Sequence, residues 1–376
     1  MKKILYISHT SEIAGAEKSL LCLLKGLDQK VFTPIVILTG NGPLVEQIKS
    51  MNIKTHLYPL ANIKKKNLGT VFSYLKTLRW LIKVIKLEKI SLIHCNMYIS
   101  NQYAVIASLF TKVPLVCHIR NIITKPCYYN NFLFLTKTLI ANSSATELSY
   151  SKYLRNTQKS IVIYNSVSLD ESYSTASAGS FREKYGIEKD AFLIGYVGQI
   201  KKAKGIHFLI KAMDLLVKQY SQVRLLIAGD ISISKESNCF SYLKELSKTL
   251  NLEQNIVFSG FINNTRELYS TMDILVLPSE KEPFGRVLIE AMAVGKPVIG
   301  TCSGGAPEVV EDGVTGLLVP PGNPEALAKA ISEMINNPAR AKLFGQKGKE
   351  RVEKLFNERT NTRQLERIYN QIIVTA

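Results

Sequence analysis

The sequence predicts an α/β protein built from two doubly wound parallel sheets, and three observations carry that prediction. Its 376 residues exceed what one ordinary core organises, so two domains are the default. Short apolar runs recur along the whole chain with helical patterns between them, the alternation expected of βαβ units. Between the two series of runs lies a polar, small-residue stretch at 171–180, read as a linker. The expected division is a first domain over 1–170, the linker 171–180 and a second domain over 181–360. A helix over about 361–374 is free to pack back on the first domain.

In the first domain, strands are expected at 3–8, 34–38, 92–95, 115–119, 138–141 and 161–164. A small-residue loop at 11–21 follows the first of them, where Gly15 lets the backbone approach a ligand and Glu17 falls in the first turn of a helix. His9, Asn96 and His118 stand at the C-terminal ends of strands, where doubly wound sheets collect ligands. In the second domain, strands are expected from Phe192, then at 224–228, 255–259, 273–277, 297–300 and 315–319. The tail is helical from Pro324 and breaks at Pro338. The two sheets are expected to face each other across a cleft.

Composition narrows the function classes. The chain is 46% hydrophobic and has no apolar run long enough to span a membrane, and its start reads as a strand and not as a signal peptide. The six cysteines show no metal-binding spacing, which suits buried thiols in a reducing cytoplasm. The net charge is +18, unevenly spread: residues 1–180 hold 22 Lys and Arg against 8 Asp and Glu, residues 181–376 hold 26 against 22. The first half is therefore expected to meet an anionic partner. Lys64, Lys65 and Lys66 precede a helical pattern in which Lys76, Arg79, Lys83 and Lys86 share one face, beside Leu75, Leu78, Ile82 and Ile85, with Trp80 open for an interface. An anionic membrane surface is the expected partner of that face. No nucleic-acid motif occurs, and aromatic residues among the basic ones are sparse, so no nucleic acid is expected.

The stretch 278–290 carries the chemistry. A strand ends at a Pro-Ser break, Gly285 turns the backbone, and a helical pattern begins near Phe284, so free N–H groups and the helix dipole point at one place. Glu282 and Glu290 flank that junction, eight positions apart. Opposite it in sequence, the turn 197–205 places Lys201, Lys202 and Lys204 at another helix start. This turn is neither a Walker A sequence nor a complete dinucleotide fingerprint. Basic residues and helix N-termini suit a diphosphate, and carboxylates suit vicinal hydroxyls; a nucleoside diphosphate sugar satisfies both. Glycoside hydrolysis needs two acids facing one bond, whereas here the second acid lies about two turns along a helix. Two acids contacting two different sugars of one donor fit better.

On these residues the chain resembles the retaining glycosyltransferases of family 4, which have the GT-B fold of two Rossmann-like domains. The match is densest over 258–320: Glu-x7-Glu at Glu282 and Glu290, Phe-Ser-Gly-Phe at 258–261, Gly-Gly-Ala-Pro-Glu at 304–308 and Asp-Gly-Val-Thr-Gly-Leu-Leu-Val at 312–319. Val-Gly-Gln-Ile at 197–200, Lys204-Gly205 and Ile-Ala-Gly-Ala-Glu at 13–17 support it. The resemblance implies that Glu282 holds hydroxyls of the transferred sugar and steadies charge at its anomeric carbon. It implies that Glu290 binds the ribose diol, Lys204 neutralises the diphosphate, and Gly15 lets the N-terminal loop close on it. Phe284, Gly285, Arg286 and Val287 would offer backbone N–H groups to donor oxygens, and His118 would reach the donor sugar. The family often pairs an arginine with the lysine; Gln199 stands there and brings no charge, leaving open whether Lys201 or Lys202 replaces it.

The function implied is a metal-independent, retaining transfer of a sugar from a nucleotide-diphosphate sugar to an acceptor hydroxyl, of the hexosyltransferase type. No Asp-x-Asp occurs, so no metal and no cofactor are expected. The basic first half points to a lipid-linked or polysaccharide acceptor in cell-surface glycan synthesis, with the protein on the cytoplasmic face of the membrane. The alternatives are a nucleotide-sugar 2-epimerase of the same fold and a non-catalytic basic membrane-binding protein.

Overall fold

The computed structural model describes residues 1–60, 68–123, 132–133, 135–151, 159–169, 178–229, 237–262 and 265–375. In chain order its elements are β1 (Lys2–Ile7), α1 (Gly15–Gly26), β2 (Phe32–Leu38), α2 (Pro43–Ser50), β3 (Lys54–Leu57), α3 (Leu68–Glu88), β4 (Leu92–Cys95), α4 (Tyr98–Thr111), β5 (Leu115–Ile119), β6 (Thr138–Ala141), α5 (Ser144–Ser151) and β7 (Lys159–Val162). There follow α6 (Ala178–Lys184), β8 (Phe192–Val197), α7 (Ile206–Val217), β9 (Val223–Ala228), α8 (Ser237–Thr249), β10 (Ile256–Gly260), α9 (Thr265–Thr271), β11 (Ile274–Leu277), α10 (Arg286–Ala293), β12 (Val298–Thr301), α11 (Ala306–Val309), β13 (Gly316–Val319), α12 (Pro324–Asn336), α13 (Pro338–Leu355) and α14 (Glu358–Val374).

The chain forms two compact units, 1–166 together with 358–376, and 167–357. The boundary thus falls at Ser166 and Val167, ahead of the expected linker. Residues 171–177 of that linker lie outside the described residues, and its last three residues open α6 instead. The final helix begins at Glu358, three residues earlier than its periodicity predicts.

The N-terminal unit is a seven-stranded sheet in the order β3-β2-β1-β4-β5-β6-β7, and the C-terminal unit a six-stranded one in the order β10-β9-β8-β11-β12-β13. Every described pairing between these strands is parallel. Strands buried on both faces read as continuous apolar runs, and the interior of β1, Ile4 to Ile7, is wholly buried. β3 escaped the sequence reading because it is an edge strand. Its Lys-Thr-His-Leu is only partly covered and needs no apolar run.

Each face of the N-terminal sheet has its own core. On one, Leu78, Leu81 and Ile85 of α3 pack with Tyr103 and Ala104 of α4 over Ile93, Cys117 and Leu139. On the other, Leu20 and Leu24 of α1 meet Leu365, Ile368 and Tyr369 of α14 over Tyr6, Leu92 and Val116. The last helix is therefore an integral layer of the N-terminal unit. Its polar contacts are also there: Asn361 Nδ2 donates to the Tyr164 carbonyl at 3.0 Å, and Lys2 Nζ to Asn370 Oδ1 at 2.6 Å. Cys22, Cys95 and Cys117 are buried free thiols as expected, whereas Cys302 is exposed.

Candidate active site

In both sheets the strand order reverses once, between β1 and β4 and between β8 and β11. At such a point the flanking loops diverge and leave a crevice at the C-terminal strand ends. Each unit places the predicted residues at its own crevice.

In the C-terminal unit the loop after β8 runs through Gln199 into a single 3-10 turn, Lys202–Lys204, before α7. The loop after β11, 278–285, leads into α10. The two loops are tied together: the Glu280 N–H donates to the Ala203 carbonyl at 3.2 Å. Gly205 makes this approach possible, since it sits at φ +68° and a Cβ there would lie 2.0 Å from the Pro278 carbonyl oxygen. The result brings Lys204 Nζ to 2.7 Å from Glu282 Oε2. Ser279 Oγ donates to the same oxygen at 3.0 Å. The side chains of Lys204 and Glu282 are 25% and 11% exposed, so the pair is largely buried with one edge open to solvent.

A third loop grips Glu282 from behind. The Gly305 N–H donates to the Glu282 carbonyl at 2.7 Å, and Glu282 and Gly304 form an isolated parallel bridge. Gly304 has φ +63°, and a Cβ there would come within 2.1 Å of that carbonyl. The Gly-Gly sequence at 304–305 is thus a device for seating the acid. Thr301 Oγ1 and Ser303 Oγ add bonds to the Ser279 and Glu280 carbonyls at 2.6 and 2.7 Å.

Beyond the acid, Gly285 caps α10 at φ +90°. Phe284 turns its ring into the core, 1% exposed and edge-on to Phe356 at 5.6 Å. Any part it plays in binding is therefore through its backbone. Arg286 Nε stands 3.0 Å from Glu290 Oε1, and Tyr269 Oη donates to Glu290 Oε2 at 2.8 Å. Glu290 is thereby held by an ion pair with Arg286 and a hydrogen bond from Tyr269. The Gln199 carbonyl accepts the hydroxyl proton of Tyr196 at 2.9 Å. Burial raises the pKa of that phenol, and the charge of Glu282 raises it further. Lys201 is half-buried and Lys202 exposed. Ser279 and Tyr269 escaped the sequence reading, the first hidden inside the Pro-Ser break and the second on a different helix.

In the N-terminal unit, His118 lies on β5 with Val116 and Tyr6 on the face toward α1 and α14. Its Nδ1 is 3.0 Å from His94 Nε2 and 3.2 Å from Arg120 Nη2. His94 Nδ1 bonds the Tyr369 hydroxyl. Arg120 is anchored by Asn165 Oδ1 at 2.6 Å and by the Asn96 carbonyl at 3.0 Å and Oδ1 at 3.2 Å. Burial lowers the pKa of both histidines, that of His94 to about 3, and the guanidinium of Arg120 adds to this. Asn96 Nδ2 donates to the Ala16 carbonyl at 3.3 Å, fixing the start of α1. A Cβ at Gly15 would meet nothing within 4 Å, so that loop is open beside it. Glu17 is buried, accepts the Ala14 N–H at 3.3 Å, and has its pKa raised by burial. Burial also lowers the pKa of His9. His94, Arg120 and Tyr369 escaped the sequence reading, although a histidine at alternate positions of an otherwise apolar strand, as in Leu-Ile-His-Cys, was a visible signal.

The basic face of α3 is present in part. Lys76, Arg79, Lys83 and Lys86 are exposed, and so are Phe72 (69%), Leu75 (45%) and Leu87 (70%). At 100° per residue these seven share one face. Leu78 and Ile85 face the core. Trp80 is not open for an interface: it stacks on Tyr58 at 4.0 Å and meets His56 edge-on. Lys64, Lys65 and Lys66 lie outside the described residues. Among the described residues no helix is long and apolar enough to cross a membrane.

Two sequence families match the chain: "Glycosyltransferase Family 4" over residues 13–171 and "Glycosyl transferases group 1" over residues 178–351. The capsular polysaccharide biosynthesis glycosyltransferase CapM of Staphylococcus aureus is 35% identical over 51% of this chain and 49% of its own. The N-acetyl-alpha-D-glucosaminyl L-malate synthase of Bacillus anthracis is 29% identical over 56% and 53%. The chain thus spans about half the length of these relatives. Among solved structures, HepE of Anabaena in complex with UDP and glucose superposes with a TM-score of 0.86 at 25% identity, over 99% of this chain and 100% of that one. The same protein has been solved with UDP-glucose.

Proposed function

The chain belongs to the GT-B glycosyltransferases of group 1 and family 4, and from that premise we propose that it transfers a sugar from a UDP-type nucleotide sugar to an acceptor hydroxyl in cell-surface glycan synthesis. The observation that carries this reading is the Lys204–Glu282 pair at the reversal point of the C-terminal sheet. A cation and a carboxylate held 2.7 Å apart on two glycine-seated loops suit a substrate with a charged diphosphate next to a hydroxyl-bearing ring. UDP and UDP-glucose bound to HepE support the donor class. The name of CapM supports a surface glycan as the product.

In this reaction the acceptor oxygen bonds to the anomeric carbon on the face that the diphosphate leaves, so configuration is retained. The acceptor proton passes to a phosphate oxygen, and the bond from the anomeric carbon to the diphosphate breaks. Lys204 exchanges Glu282 for the diphosphate and stabilises the leaving charge, an electrostatic role worth about 3 kcal/mol for one well-placed donor. Glu282, released from the lysine but still bonded by Ser279, accepts hydroxyls of the sugar. Glu290, steadied by Arg286 and Tyr269, accepts the ribose diol, and backbone N–H groups over 284–287 face donor oxygens. No metal is assigned a step.

The acceptor end is read from α3. A helix face that mixes four cations with Phe72, Leu75 and Leu87 suits an anionic lipid surface, where basic residues meet headgroups and apolar ones enter the acyl boundary. A lipid-linked acceptor presented there follows. The test is turnover of UDP-sugars with membrane extract, with products identified by mass spectrometry. Release of UDP together with a glycosylated lipid is expected. Conversion of the donor to an isomeric sugar without any acceptor would overturn the reading in favour of an epimerase.

A further inference from the structure

A neutral imidazole is a donor at one nitrogen and an acceptor at the other, and its surroundings decide which. Around His118 the choice is forced. Arg120 possesses only donors, and its Nη2 lies 3.2 Å from His118 Nδ1. That nitrogen must accept. His94 Nε2, 3.0 Å from the same atom, must then carry its own proton. His94 Nδ1 is left as an acceptor, and the Tyr369 hydroxyl donates to it. The Tyr369 and Tyr6 hydroxyls lie 3.3 Å apart, which extends the chain to Tyr6.

We propose that Arg120 and His94 are positioning residues that hold His118 as its neutral Nε2–H tautomer, with Tyr369 holding His94 in turn, so that His118 offers a donor-sugar oxygen a hydrogen bond and never acts as a base or a cation. This rests on the reading of the chain as a nucleotide-sugar glycosyltransferase that uses His118. The geometry is built for the task. Tyr6 and His94 are register partners on adjacent strands, and the rings of Tyr6, His94 and His118 follow one another at 5.1 Å between centroids. All three and Tyr369 are buried. Tyr369 arrives on α14, so the last helix contributes to the site as well as to the core.

Arg120 and Glu366 act on Tyr369 in opposite senses, the first lowering and the second raising its pKa. Arg120 faces both histidines and disfavours a second positive charge on either. Glu366 acts on the two phenols and raises their pKa further above an already raised value. Glu17 faces Arg120. Burial and the Arg120 guanidinium are what oppose an imidazolium on either ring.

The experiment uses the full chain labelled with 15N-histidine. Long-range proton–nitrogen spectra report the tautomers of His94 and His118 between about pH 5 and 8, alongside donor kinetics. In the wild type, Nε2 of both rings is expected to be protonated and Nδ1 bare throughout, with no acid limb of histidine type in kcat. Tyr369→Phe removes the hydroxyl bonded to His94 and is expected to mix the tautomers of His94 and lower kcat roughly 3- to 10-fold, with the donor KM within about 2-fold. His94→Gln keeps a donor toward His118 and is expected to preserve its tautomer more fully than His94→Phe, in which Arg120 is the remaining donor to Nδ1. A wild-type His118 protonated at Nδ1, or one titrating near its ordinary pKa, would overturn the inference; so would unchanged spectra in Tyr369→Phe. The expected tautomers in a protein that never turns over a nucleotide sugar would instead count against the proposed function alone.

Discussion

The two crevices hold their key side chains in opposite ways. In the C-terminal unit Lys204 and Glu282 form an ion pair, keep one edge open to solvent, and are positioned by backbone: three loops meeting at Gly205, Gly304 and Gly305. In the N-terminal unit His118 is neutral, buried, and positioned by other side chains through His94, Arg120 and Tyr369. The difference follows from what each group has to do. A lysine that must leave one anion for another in a largely buried pocket needs the incoming anion to replace the charge it gives up, which a diphosphate does. A histidine that must always present the same proton needs its protonation settled in advance, which burial and a donor-only neighbour accomplish.

The comparison can be broken at its strongest point first. Lys204→Ala and Glu282→Ala are each expected to cut transfer by about 10²- to 10³-fold while circular dichroism and thermal unfolding stay close to wild type. Because the two act on one donor, the double variant should fall well short of the product of the single losses. Next in size is the backbone. Gly205→Ala forces a side chain into left-handed backbone and against the Pro278 carbonyl. It is expected to cost about 1–3 kcal/mol of stability, read as a lower melting temperature with a matching loss of donor affinity. A melting temperature at the wild-type value would show that the loop is not clamped there. Tyr269→Phe removes one hydrogen bond to Glu290. A rise in donor KM of roughly 5-fold is expected, about 1 kcal/mol, with kcat nearly unchanged.

The smallest effect concerns pH. His94 and His118 titrate lower in the folded state than in the unfolded chain. Below about pH 6.5 the unfolded chain therefore binds more protons. Their contribution to stability is complete above that pH and is lost progressively as pH falls toward the folded pKa, about 3 for His94. Thermal melts should drop with acidification over that window, and His94→Gln should flatten part of the slope. An unchanged slope would mean that His94 is not neutral in the fold. On the exposed side, changing Lys76, Arg79, Lys83 and Lys86 to Gln should abolish sedimentation with anionic liposomes at low salt. Retained binding would remove α3 as the contact.

How much of this was legible in the sequence follows from the same contrast. The strands of both sheets were readable because buried parallel strands are apolar throughout, while β3 at the edge gave no such run. The C-terminal crevice was readable because its residues lie in contiguous motifs; Glu282 and Gly304-Gly305 owe their pairing to adjacent strands β11 and β12, and the short motifs survive as text. The N-terminal crevice was mostly hidden. His118 could be named, but its partners come from β4, the residue after β5, and a helix some 250 positions later. No spacing rule links Tyr369 to His94. The charge on Lys204 could be assigned to a phosphate, yet its pairing with Glu282 in the free protein could not, because the glycine-driven approach of the two loops is visible only in three dimensions.

The central claim is that the Lys204–Glu282 pair is the donor half-site of a nucleotide-sugar transferase, and one measurement addresses it most directly. UDP release from a panel of UDP-sugars in the presence of membrane extract is followed for the wild type, Lys204→Ala and Glu282→Ala. The account predicts turnover of at least one donor by the wild type and a loss of about 100-fold or more in both variants. Equal rates in all three proteins would contradict it.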